Sequence, residues 1–291
     1  MSRWPDPDRV LRTTADVRIG TFRCSITHPE FRTAGPIEGY SVVFPRSAVW
    51  IEHEGKRPFV ADPHVITIYN RGQLYTRRAI AAEGDRSDWL SVSRPLATAI
   101  VAGIDAEASS HEEGPFPVAF APASAELYFR QRVLFSRVRR NAIDDFELEQ
   151  EVILLVGSAL ERALPPSGPR AELRRGRLVD LVERARETLA CDPFRSWSVR
   201  DLAARLETSP FHLCRGFRRL TGQTLHNYQL GLRLRAALER MEGSDRDLSR
   251  LAQDLGFSSH SHFTSAFRER MGRTPSHARA QLQLRVSAIS R

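Results

Sequence analysis

Lysine is nearly missing from this chain: of 43 Lys and Arg residues, Lys56 alone is a lysine. Arginine suits bidentate contacts to phosphate and guanine, yet GC-rich coding DNA gives the same bias, so the composition by itself carries no mechanism. Cysteine is scarce too. Cys24, Cys191 and Cys214 are odd in number and lack C-x-x-C spacing, which argues against a disulfide framework and leaves a reduced, cytoplasmic protein as the simplest reading. No apolar run reaches the ~18 residues that span a bilayer, and the opening MSRWPDPDRV has no apolar signal core. Neither G-x-S-x-G nor G-x-x-x-x-G-K-[ST] occurs, so the hydrolase elbow and the phosphate-cradling loop are both missing. No enzyme is expected.

What is present is unevenly placed. The 291 residues suffice for two domains, each with its own core. Residues 1–169 carry 20 Lys plus Arg against 22 Asp plus Glu, a balance of −2, while residues 170–291 carry 23 against 13, a balance of +10. The basic excess therefore lies wholly in the C-terminal part, as a polyphosphate partner would require.

That part repeats itself. In DLSRLAQDLGFSSHSHFTSAFRERMGRTPSHAR, residues 247–279, Leu248, Leu251, Ala252 and Leu255 recur at i, i+3, i+4 and i+7 and predict a short helix N-capped by Asp247. Gly256 follows, where a turn through φ > 0 costs glycine least. Ser258 and Ser259 offer caps for a second helix, on which Phe263, Ala266, Phe267 and Arg270 keep the period until Gly272; Thr274 and Pro275 open a third. Two helices joined by a tight turn make a helix-turn-helix, whose second helix can enter a major groove. The segment DLAARLETSPFHLCRGFRRLTGQTLHN, residues 201–227, does the same. Leu202, Ala203 and Leu206 fall on Leu251, Ala252 and Leu255; after one missing turn residue, Ser209, His212, Phe217, Arg218, Gly222 and Thr224 fall on Ser259, His262, Phe267, Arg268, Gly272 and Thr274. Two copies about 50 residues apart are too few for a solenoid. They predict duplicated reading heads, at about 198–221 and 247–271; a plain helical bundle with repeated caps is the bland alternative.

The surrounding signals agree. A helix over about 171–190 opens the region, Ser198 with Asp201 predicts a capping box, and Thr224 caps a helix over about 225–241 that joins the two heads. At ~1.5 Å per residue this helix spans about 25 Å, which with its flanking turns suits heads set near the ~34 Å between successive major grooves.

The stretch LGFSSHSHFTSAFRERMGRTP resembles the signature of the AraC/XylS family of bacterial transcription regulators, and SPFHLCRGFRRLTGQTLHNY resembles that family's upstream motif. The resemblance implies that the second helix of each pair reads DNA. Family positions that touch bases fall on Phe211, Cys214 and Arg215 in the first pair and on His260, Ser261, Thr264 and Ser265 in the second. Where Ser265 stands the family often has Arg, which implies that the second head reads fewer bases. Ser209, Arg218, Arg219, Ser259 and Arg268 are the candidates for the DNA backbone. Helical spacing meanwhile buries Leu213 with Phe217 and Phe263 with Phe267. Arg215 is either a bidentate partner of guanine or a phosphate clamp, and Phe211 either meets a thymine methyl or completes the core. His260 and His262, at i and i+2, diverge on a helix and make no zinc pair.

The N-terminal part reads differently. Short runs rich in Val, Ile, Tyr and Phe at about 20–28, 40–44, 48–53, 65–70 and 74–79, separated by Pro, Gly, Asp and Asn, predict strands of a sandwich or barrel. With the YNRGQLYTRR segment, this resembles the cupin-like sensor domain that often precedes the AraC-type region. Cupins can be metal enzymes, but His28, His53, Glu54, His64 and His111 show no H-x-H followed closely by Glu, and His53 and Glu54 point to opposite faces of a strand. No metal and no cofactor are expected. Helices follow at about 125–140 and 144–164. Phe146, Leu148, Val152, Ile153, Leu155, Val156 and Leu160 give the second a wide apolar face, which either covers the sensor's own sheet or pairs with its twin in a homodimer. LPPSGPR, residues 164–170, marks the domain boundary.

The expectation is an α+β chain of two domains: a cupin-like sensor or dimerisation domain over 1–164, with helices over about 124–164, a linker at 165–170, and an all-α DNA-binding domain over 171–291. Its function would be sequence-specific transcription regulation in the cytoplasm under a small-molecule effector. Double-stranded DNA, RNA polymerase and a second copy are the expected macromolecular partners, and no membrane is. A regulator whose N-terminal domain only dimerises, a non-specific DNA-coating protein and a cupin-type metal enzyme fused to a DNA-binding domain are the alternatives.

Overall fold

The computed structural model describes residues 6–104, 114–163, 177–243 and 247–283, apart from the side chains of residues 33, 34, 177, 200, 210 and 211. The chain divides into two compact units, Met1–Leu164 with Ala280–Arg291 and Pro165–Arg279. The first is β-rich and the second helical. The expected linker, residues 171–176 of the helix expected to open the C-terminal domain, and His111 lie outside the described residues.

In the first unit β1 (Asp8–Thr13), β2 (Val17–Cys24), β9 (Asp85–Val92), β4 (Tyr40–Pro45), β7 (Val65–Tyr69) and β10 (Phe120–Pro122) form one antiparallel sheet in that spatial order. The other consists of β3 (Thr33–Ala34), β8 (Tyr75–Ala79), β5 (Val49–His53) and β6 (Phe59–Ala61). Three helices, α1 (Arg94–Ile104), α2 (Ala125–Arg139) and α3 (Asp145–Ala163), share one apolar core with the larger sheet. Val42 and Phe44 of β4, Ile66 and Ile68 of β7 and Leu90 of β9 meet Leu148, Val152, Leu155 and Val156 of α3 there. Full burial of each such side chain contributes roughly 1.5–3 kcal/mol. The wide face of α3 thus covers its own sheet, while Phe146, Ile153 and Leu154 stay exposed at 80%, 38% and 45%.

The structure corrects the strand expected at 20–28. It starts at Val17, because Val17 to Cys24 pair in register with Val92 to Asp85. It ends at Cys24, because His28 Nδ1 accepts from Glu30 N and caps a one-turn helix at Pro29–Phe31. His53 is buried and accepts at Nδ1 from Gln73 Nε2, 3.0 Å away, while the neighbouring Glu54 is exposed. Burial pushes the His53 imidazole down to about 4. Among the described residues, no three His, Cys, Asp or Glu side chains come together as a metal would need.

The second unit contains α4 (Arg177–Cys191), α5 (Val199–Arg205), α6 (Pro210–Thr221), α7 (Leu225–Glu242), α8 (Leu248–Asp254), α9 (His260–Met271) and the start of α10 (Pro275–Gln283). Five of the N-caps fall on small polar side chains. Ser198, Ser209, Thr224, Asp247 and Ser259 accept from backbone N–H groups in the first turns of α5, α6, α7, α8 and α9. Ser198 also donates its hydroxyl to the Asp201 carboxylate at 2.6 Å, whereas the capping box expected from the sequence would have Asp201 accept from the Ser198 backbone N–H. Bonds from Arg250 and Ser249 N–H hold the Asp247 carboxyl below the usual range.

Candidate nucleic-acid interface

The two helix pairs, α5 with α6 and α8 with α9, are built on one plan. Leu202, Ala203 and Leu206 are buried on α5 and its C-cap, as are Leu251, Ala252 and Leu255 on α8. At the first turn Glu207 N donates to Ala204 O at 3.1 Å and Thr208 N to Ala203 O at 3.0 Å. At the second, Gly256 N donates to Gln253 O at 2.9 Å and Phe257 N to Ala252 O at 3.0 Å. The offset of 49 between the copies therefore holds through Thr208 and Phe257, and the extra residue of the second turn is Ser258. Its hydroxyl lies 3.0 Å from His262 Nδ1.

Both turns pass through the left-handed region, with φ 55° at Glu207 and 76° at Gly256. Glycine is needed only at the second. A Cβ on Gly256 would stand 2.8 Å from Phe194 O and 3.3 Å from the Arg233 guanidinium, so the position is both strained and crowded for any other residue.

On α6, Leu213 and Phe217 are fully buried, the latter edge-on to Tyr228 with ring centroids 5.2 Å apart. On α9, Phe263 and Phe267 are fully buried, 5.6 Å apart. The opposite faces look outward. Cys214, Arg215, Arg218 and Arg219 are exposed on α6, as are His260, Ser261, Ser265 and Arg268 on α9. Thr264 is half-buried and its hydroxyl is shut away without a partner, so of the four candidates on α9 it offers least to a base edge. The side chain of Phe211 lies outside the described residues. Ser209 and Ser259 Oγ each accept a backbone N–H at 3.1 Å, which leaves each hydroxyl proton to donate outward. Such a cap at a helix N-terminus suits a phosphate oxygen.

A family profile described as Helix-turn-helix domain matches residues 202–281. Regulatory protein SoxS of Escherichia coli is 38% identical over 74 residues, which cover 25% of this chain and 69% of that protein. The chain belongs to the AraC family of transcription regulators. This AraC-family protein is also 35% identical over 95 residues to the uncharacterized HTH-type transcriptional regulator YidL of Escherichia coli, covering 33% of this chain and 32% of that one. It is 34% identical over 90 residues to the HTH-type transcriptional regulator CdhR of Pseudomonas aeruginosa, covering 31% and 27%. The matched stretch thus spans about a third of the length of YidL and about a quarter of that of CdhR. The solved structure of ToxT from Vibrio cholerae aligns over 92% of this chain and 100% of its own at 14% identity, with a TM-score of 0.37.

The AraC-family chain also has a concavity in its first unit. A cavity of about 590 Å³ lies between the two sheets, with Ser41, Thr67, Ser87, Trp89, Ser91, Tyr69 and Tyr75 among its lining. Sequence reasoning missed it, although the polar residues at alternate positions of DRSDWLSV on β9 are its signal. Arg77 closes one wall: Nη1 donates to Asp85 at 2.9 Å, and Nε and Nη2 donate to Phe31 O and Glu30 O, both at 3.0 Å. Burial raises the Asp85 carboxyl against the pull of Arg77, and it pushes the Tyr75 phenol up to about 12.

Proposed function

We propose that this DNA-binding transcription regulator reads its target with two helix-turn-helix motifs, residues 198–221 and 247–271, presenting α6 and α9 to successive major grooves. The observation that carries this reading is the pair of identically hydrogen-bonded turns, each delivering an exposed helix face with arginine on it. Phe211, Cys214 and Arg215 are the proposed base contacts of the first motif, and His260, Ser261, Thr264 and Ser265 those of the second. Ser209, Arg218, Arg219, Ser259 and Arg268 hold the backbone. The joining helix α7, with 18 residues, spans about 27 Å, in keeping with heads one helical turn of DNA apart. Full-length protein challenged with a random duplex pool should enrich one two-part sequence. Its affinity should fall with salt at a log-log slope of about −0.9 per phosphate neutralised. Equal affinity for the enriched duplex and for random competitor would make it a coating protein instead.

The N-terminal region, 1–164, acts in this reading as a cupin-like sensor joined by the 165–170 linker to the DNA-binding domain, 171–291, in a protein working in the cytoplasm with RNA polymerase. The cavity between the sheets supports a small-molecule effector. Asp8, Glu30, Glu38 and Asp85 outnumber Arg18 and Arg77 around it, so an uncharged, hydroxyl-bearing molecule suits it better than an anion. Thermal shifts with neutral polyols against carboxylic acids of similar size test that choice. A second reading, an effector-independent regulator whose N-terminal domain serves a homodimer, is favoured by the exposed Phe146, Ile153 and Leu154 of α3. Sedimentation of Phe146→Glu with Leu154→Glu against the parent tests it, since a true dimer contact should yield monomer.

A further inference from the structure

Arg233 sits on α7, on neither reading helix, and its guanidinium is committed to backbone carbonyls. Nε donates to Pro193 O at 2.9 Å, Nη1 to Gly256 O at 2.9 Å, and Nη2 to Arg195 O at 3.0 Å and Phe194 O at 3.3 Å. Pro193 to Arg195 form the loop that leads from α4 into α5, whereas Gly256 is the elbow between α8 and α9. One side chain on the joining helix therefore ties the entrance of the first helix pair to the turn of the second. Gln229, one turn earlier on α7, donates to Pro193 O at 3.1 Å and Arg195 O at 2.6 Å, which steadies the loop alone.

The chemistry calls for arginine. A planar fork offers five N–H groups in fixed directions, whereas a lysine ammonium is a point charge on a flexible stem. The junction is also tight, as the 2.8 Å approach of a Gly256 Cβ to Phe194 O indicates. Leu213 and Phe217 of α6 form an apolar core with α4, α5 and α7, whereas the Arg233 guanidinium bonds to carbonyl groups. Its bonds add mutual orientation to pairs that have their own apolar packing.

We propose that Arg233 is a positioning residue that fixes the distance and angle between the two reading helices, so that the protein selects DNA by the spacing of two half-sites as well as by their bases. The proposal rests on the double-headed reading above. Inserting one base pair between half-sites moves the second by about 3.4 Å along the duplex and roughly 35° around it. Two rigidly coupled heads cannot follow that shift; two loosely coupled heads can.

The test uses the full chain and a duplex enriched by the parent protein from a random pool. Affinities are measured on that duplex, on a version with one base pair inserted between the half-sites, and on each half-site alone in scrambled flanks. The parent should lose about tenfold or more on insertion, whereas Arg233→Lys and Arg233→Ala should lose about twofold or less. Both variants should stay within about twofold of the parent on single half-sites and bind the enriched duplex about tenfold more weakly. Arg233→Lys keeps the stem and the charge, so the comparison stands even if Arg233→Ala melts early. A parent-like insertion penalty in either folded variant overturns the proposal. So does a loss on single half-sites as large as on the enriched duplex, which would make Arg233 a folding residue only. A parent that enriches no two-part sequence removes the double-headed reading itself, and this proposal with it.

Discussion

The first and second helix pairs share their turn bonding and buried positions, and they differ in what they expose. Arg215 of α6 corresponds to Ser265 of α9, Arg219 to Glu269, and Cys214 to the half-shut Thr264. The first face is thus the more cationic, with a guanidinium where the second has a hydroxyl and another where the second has a carboxylate. The turns diverge as well. Glu207 makes the same left-handed step as Gly256, so the turn itself does not demand glycine. The crowding by Phe194 O and Arg233 does. Duplication has preserved the frame, and each copy has been fitted to its own neighbours.

The largest expected break in this comparison comes from Gly256→Val, which should cost about 3 kcal/mol or more by adding overpacking to backbone strain. Urea melts of the full chain measure it. A midpoint matching the parent's would mean that the crowding at the second elbow is not real. Next comes Arg215→Ala, which should weaken binding to the enriched duplex by about 1–3 kcal/mol, relax preference at one base pair and spare random DNA. Ser265→Ala, the matched change on α9, should do less on both counts. Equal losses on enriched and random DNA would make Arg215 a phosphate clamp, and a larger specificity loss at Ser265 would reverse the ranking of the two heads. Glu207→Gly probes the open turn from the other side. It should raise stability by about 0.5–1 kcal/mol, since glycine takes the left-handed step without the side-chain penalty; a destabilised variant would show that the Glu207 side chain is needed there. The smallest effect is expected from Glu269→Arg, which copies the first face onto the second. If this face meets the backbone, affinity for random DNA should rise modestly and the salt slope should steepen by about 0.9; an unchanged slope would place position 269 away from phosphate.

The caps, the helix periods and the repeat were legible because each is written in consecutive residues. Asp247, Ser259 and Thr224 act where their chemistry predicts, and the strands around Tyr40, Val49, Val65 and Tyr75 form within a residue or two of the predicted runs. Other features needed residues far apart in sequence. The strand β9 reads DRSDWLSV, with polar side chains on both faces: Asp85, Ser87, Trp89 and Ser91 line the cavity, while Asp88 faces α2 and accepts from Gln131 at 2.8 Å and Arg132 at 2.7 Å. A half-buried strand normally alternates polar with apolar, and this one answers to two polar neighbours instead. The helix α1 carries Leu96, Ala97, Ile100, Val101 and Ile104 at helical spacing, a signal that the adjoining strand run masked. Arg233 left no trace in any period, because its partners are carbonyl groups, which every residue possesses.

The near-absence of lysine has a consequence for control of the molecule in the cell. From Arg170 onward the positive charge is carried by arginine alone, and a guanidinium neither loses its proton in the physiological range nor accepts an acyl group as an amine does. Enzymes that quiet basic surfaces by acetylating lysine find no side-chain amine to modify on this half of the chain. The one side-chain amine of the whole chain, the exposed Lys56 between β5 and β6, would instead take a fluorescent label without altering a charge on α6 or α9.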